Sequence, residues 1–261
     1  MEAILNNLST RLDLFILMFL RVSALIISSP IFGRKTMPNL IKVCLCLAIT
    51  YVMFAANLNS PQPEYGNVVG YIVLCVKEML FGLVLGFVMT LFFSLVQIAG
   101  QYIDMQMGFG MVNVLDVQSQ TTVPITGDLL GIILTITFFG VNGHLKLIYI
   151  LHNTFAQIPV GTVTLNPLIG MTAVEVFILA FLLAVHVALP LVAAGLLAEV
   201  ALGFLTRAVP QINVFVVGIP IKVLLGFMML MLVLPVYVGF TDVIFDRMFE
   251  SIGTMMTGLA A

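Results

Sequence analysis

The sequence has no tryptophan and very little charge. Of its 261 residues, only 8% are charged and 61% are hydrophobic, and the mean hydropathy is +1.20. A soluble domain typically carries about 25% charged and about 45–50% apolar residues. A single folded chain of this length cannot hide so much apolar surface, so the surplus must meet lipid or other apolar subunits. Linkers are missing too: there is no Ser/Gly-rich tract, no Pro-rich run and no block of charge. The chain therefore reads as a single domain, residues 1–261, without a repeat of fixed period. The charges are scattered and the net charge is −2, which leaves no footprint for nucleic acid. Cys44, Cys46 and Cys75 lie in apolar stretches with no CxxC pair, as small buried hydrophobes do. His144, His152 and His186 have no carboxylate at ligand spacing. No HExxH, GxSxG or phosphate loop occurs, so neither a catalytic constellation nor a cofactor site is expected. The first residues carry Glu2 and Asp13 against Arg11, which is not the basic leader of a secretory signal.

What is present is a series of long apolar runs. They cover about residues 12–31, 41–56, 68–99, 129–155, 174–197 and 212–240. Runs of about 17–25 residues suit a bilayer-crossing helix. The fold class is thus an all-α integral membrane protein with about six long, partly kinked helices. The third run has roughly 32 residues, about 48 Å of helix against a hydrocarbon core of about 30 Å. It must kink, tilt, fold back or protrude, so some apolar segments are expected to be hairpins rather than simple spans. Gly82 and Gly86, four apart, let another helix approach it closely. The fourth run breaks at Asn142-Gly143-His144, and Pro190, Pro220 and Pro235 interrupt the last two. The tail, residues 241–257, sets Phe245, Phe249 and Ile252 on one face beside Asp246 and Glu250, and is expected at an interface. Arg34, Lys35 and Lys42 stand together without an acid, which places their loop in the cytoplasm. Residues 100–128 hold Asp104, Asp116 and Asp128 and no base, and form the longest stretch without a clear span.

Two groups of residues have functional chemistry. In the first, Gly108 and Gly110 flank Phe109, with Met105, Met107, Met111 and Val112 around it. Glycine permits backbone turns that other residues resist, and methionine fills irregular gaps without a fixed shape. Such a segment can seal a narrow opening and deform when something passes; the bland alternative is a packed turn between helices. The second group is the intramembrane charges Lys77, Glu78, Glu199, Arg207 and Lys222. A charge deep in the bilayer costs about 2.5–3.5 kcal/mol on insertion scales, so it faces a partner or water, or snorkels to the headgroups. Inter-subunit ion pairs or a hydrophilic path would use them. Broken helices and buried charge also fit a self-contained small-solute transporter or ion channel, although no inverted halves are visible.

Three motifs carry a family resemblance. They are QMGFGM at residues 106–111, GVNGH at 140–144 and LAEVALGFLTRAVPQINVFVVGIPIK at 197–222. In this order the sequence resembles the FliR family, including its virulence-system relatives, over nearly the whole chain. The resemblance implies a non-enzymatic subunit of the type III protein export gate in the bacterial inner membrane, at the flagellar basal body. It implies assembly with FliP and FliQ into a helical core, association with FlhB, and passage of unfolded flagellar proteins as substrate. About residues 1–155 would be the FliP-like part and about 170–261 the FliQ-like part. Residues 106–122 would be the loop that plugs the closed pore, with Phe109 and Met111 near its tip. Glu199 to Lys222 would be packing surface, with Arg207 and Lys222 meeting partner carboxylates.

Overall fold

The structure is a computed structural model that describes residues 2–57, 63, 65–109, 124–164, 166–209 and 214–260. Among these there is helix and no strand. The helices are α1 (Glu2–Ser28), α2 (Asn39–Ala56), α3 (Val68–Met107), α4 (Ile125–Gly140), α5 (Gly143–Gln157), α6 (Leu168–Ala208) and α7 (Val214–Ala260). Four of them are long and apolar enough to cross a membrane, and a fifth crossing follows if the bent pair α4–α5 counts as one. The protein is an all-α, multi-pass membrane protein.

Local chemistry sets the helix ends. Pro38 precedes α2, where a missing backbone N–H costs nothing. Asn57 ends α2, its backbone N–H and side-chain Nδ2 both donating to the Met53 carbonyl, at 3.0 and 2.9 Å. Asn67 opens α3 by accepting the Gly70 N–H on Oδ1 at 2.9 Å. In the turn after α1, Lys42 donates to the Gly33 carbonyl at 3.0 Å and Arg34 to the Pro30 carbonyl. The break expected in the fourth run is a left-handed residue: Asn142, at φ 57°, separates α4 from α5. Asparagine tolerates that conformation better than most side chains.

Several elements outrun their expected lengths. The third run continues as one helix of 40 residues to Met107. Residues 100–107 are therefore helical, although they were expected in the stretch without a span. Helix α6 keeps Pro190 inside its 41 residues and α7 keeps Pro220 and Pro235 inside its 47. Membrane helices tolerate internal proline because neighbouring groups re-satisfy the freed carbonyls. The tail is no separate element: it completes α7, and Phe245, Phe249 and Ile252 are buried while Asp246 and Glu250 are exposed. Its apolar face is thus covered within this chain.

The chain forms two compact units. One comprises Met1–Leu91, Asn142–Phe177 and Arg247–Ala261; the other comprises Phe92–Val141 and Ile178–Asp246. In the first, α1 packs on α2 and on α3, where Gly82 and Gly86 provide the close approach expected of them. A Cβ at Gly82 would stand 2.3 Å from the Arg21 carbonyl oxygen, and one at Gly86 would strike Ser28 Oγ. Thr90 adds a hydrogen bond to the Ser28 carbonyl at 2.7 Å. In the second unit, the buried rings of Phe93, Phe138 and Phe245 stack edge to face at 6.1 and 5.5 Å.

Candidate functional site

The segment that the sequence singles out as a candidate seal begins within the last turn of α3. At Gly108 the backbone turns into the left-handed region, φ 83°, which favours glycine. Beyond it, Phe109 is buried and meets Phe227 of α7 edge to face at 5.2 Å. Met107 is buried against Gly226, where a Cβ would approach its Cγ to 2.7 Å. Met105 points outward and is 79% exposed. Of the remaining candidates for this segment, Gly110, Met111 and Val112 lie outside the described residues, as do 113–122. The structure thus brings Met107 and Phe109 onto α7, with the turn at Gly108 between them, and leaves Met105 apart.

Both ends of this stretch are tied to α3. Asp104, which the sequence places in the stretch without a clear span, is buried, and its carboxylate accepts the Thr126 N–H at 3.1 and 3.2 Å. Asp104 therefore caps the first turn of α4 from a neighbouring helix, where negative charge is favoured. Gly100 and Gly127 make that contact possible: a Cβ on Gly100 would lie 2.1 Å from the Gly127 Cα.

The charged candidates fall into separate places. Glu199 on α6 and Lys222 on α7 pair at 2.9 Å, with the side chains 56% and 24% exposed. Glu199 also accepts from Gln106 Nε2 at 3.4 Å. Lys222 thus has its carboxylate partner in its own chain. Glu78 is fully buried in the other unit and is paired with Arg21 at 2.5 Å, so it too is satisfied in-chain. Lys77 is half-buried and Arg207 is exposed, and neither has an ion-pair partner among the described residues.

Arg21 escaped the sequence reading. It lies inside the first apolar run and is 0% exposed. Besides Glu78, it donates to the Thr154 and Ile158 carbonyls at 3.3 and 3.1 Å, and its guanidinium lies 4.4 and 4.7 Å from the ring centres of Phe81 and Phe155. The missed signal was a lone cation in one apolar run and a lone acid in another, which must find each other to be buried. His186 behaves as a structural histidine: its Nδ1 lies 2.7 Å from the Leu182 carbonyl.

Against known families, residues 12–248 match the model described as bacterial export proteins, family 1. The chain belongs to this family. Among its relatives is the flagellar biosynthetic protein FliR of Bacillus subtilis (strain 168), 30% identical over 255 residues, which are 97% of this chain and 98% of the relative. FliR of Escherichia coli (strain K12) is 30% identical over 248 residues, covering 95% and 94%. The Yop proteins translocation protein T of Yersinia pestis is 29% identical over 213 residues, covering 80% of each. As a bacterial export protein of this family, the chain is an export-apparatus component of type III kind, and the motifs at 106–111, 140–144 and 197–222 lie within the matched region.

Proposed function

We propose that this protein is a non-enzymatic subunit of the type III export gate in the bacterial inner membrane, at the flagellar basal body, and that it helps to wall and to plug the pore. The observation that carries the proposal is the family match over residues 12–248, together with relatives named for flagellar biosynthesis and for Yop translocation. Exposed apolar side chains support it, among them Leu197, Phe204, Leu224 and Met231 on α6 and α7. Such faces call for lipid or for partner helices. The partners in this reading are FliP and FliQ in a helical core, FlhB beside it, and exported flagellar proteins as substrate. About residues 1–155 act as the FliP-like part and about 170–261 as the FliQ-like part.

Residues 106–122 close the pore in this reading. The seating of Met107 and Phe109 at Gly226 and Phe227 supports it, because a deformable apolar contact opens without breaking a strong bond. The test uses the native host. Tagged protein drawn from its membranes is expected to bring FliP and FliQ with it, and a strain lacking residues 108–112 is expected to leak ions and small solutes. A stable monomer without partners would overturn the gate reading. Unchanged permeability in the deletion strain would remove the plug.

A further inference from the structure

Three helices meet at the head of the seal. Gln106 stands on the last turn of α3, directly before the turn at Gly108. Glu199 accepts from Gln106 through Oε2 and from Lys222 through Oε1, so each carboxylate oxygen holds one neighbour. Beneath them, two glycines serve as seats. A Cβ on Gly195 would stand 2.4 Å from Gln106 Cγ, and one on Gly226 would stand 2.7 Å from Met107 Cγ. Free space of about 50 Å³ remains beside the two side chains, bounded by Leu191, Ala194, Leu225 and Met229 among others.

We infer that Glu199 is a positioning residue for the seal: it latches Gln106 onto α6, and Lys222 holds the Glu199 carboxylate in place. This inference rests on reading residues 106–122 as the plug. The latch is placed where a small displacement matters most, since Gln106, Met107 and the turn at Gly108 are consecutive. It is also built to release. The ion pair is exposed, and such pairs hold weakly, unlike the fully buried pair of Arg21 and Glu78. The free space beside Gln106 and Met107 gives both side chains room to shift. With the latch open, Met107 lifts from Gly226 and Phe109 is left with its contact to Phe227.

The experiment uses the assembled gate in native membranes, with Cys44, Cys46 and Cys75 replaced by serine and Met107→Cys as a reporter thiol. Maleimide labelling of that thiol is slow while it sits on Gly226. Glu199→Ala and Gln106→Ala are both expected to speed labelling roughly fivefold, the scale of a lost exposed pair, and to raise ion leak. The exchange Glu199→Lys with Lys222→Glu keeps the pair, and the Gln106 amide can turn to face a lysine, so labelling is expected to slow again. Gln106→Ala leaves the ion pair intact and does not endanger folding. If it labels no faster than the parent, the pair is merely structural and the latch is overturned. A gate that stays tight after loss of residues 108–112 overturns the plug reading instead, whatever the labelling shows.

Discussion

Arg21 and Glu78 show how one buried pair organises its surroundings. Arg21 Nη1 donates to the Thr154 and Ile158 carbonyls at the C-terminal end of α5, the first of which also accepts the Ile158 N–H at 2.9 Å. The other partner, Glu78, accepts the Gly161 N–H at 2.8 Å on Oε1, and Gly161 adopts φ 88° in the turn after α5. The ion pair thus joins α1 and α3 and fixes the chain between α5 and α6. Desolvating two charges is costly, and their attraction repays it only with good geometry and further hydrogen bonds. Removing one partner is worse than removing both, because it strands a charge. Arg21→Met is therefore expected to cost about 3–5 kcal/mol, read as a lowered midpoint when the solubilised assembly is heated. Arg21→Met combined with Glu78→Met is expected to recover much of that loss. Equal damage from the single and the double variant would contradict this account of the pair.

At the scale of helices, close approach depends on glycine. Gly100 and Gly127 bring α3 and α4 together backbone to backbone, and Asp104 then caps α4 across that contact. Gly100→Ala has no room, since its nearest neighbours would be the Gly127 Cα and N at 2.1 and 2.2 Å. It is expected to lower the yield of assembled protein sharply. Gly239→Ala, with nothing within 4 Å, is expected to leave yield unchanged or slightly raised, because alanine favours helix by about 1 kcal/mol over glycine. Comparable losses from both would remove the close-contact argument. Much of this level was legible in the sequence. Hydrophobic runs marked the helices, Gly82 and Gly86 announced a crossing, and Asn142 marked a break. Helix lengths were not legible, because the prolines and the acidic stretch from Gly100 read as interruptions. The two buried acids are accommodated by something distant in sequence: Glu78 by Arg21, and Asp104 by the start of α4. The segment around Phe109 stood out by composition, from its glycines and methionines. Its seat did not, because Gly226, Phe227 and the Gln106–Glu199 contact lie on helices far along the chain.

The whole molecule is outward-facing to a degree that a lone soluble chain would not tolerate. The most apolar windows of α2 and α7 are only 17% buried. Neighbouring helices or lipid must cover the rest, and the family membership states which kind of apparatus supplies them. In this account the charged groups do different work. Arg21 and Glu78 are buried within one unit, whereas the proposed latch of Glu199 and Lys222 is exposed and holds lightly. The most direct measurement is a map of the intact assembly taken from native membranes. The account predicts that residues 106–122 lie on the central axis of the pore, with Phe109 directed at its narrowest point. Finding that segment on the outer rim in contact with lipid would contradict it.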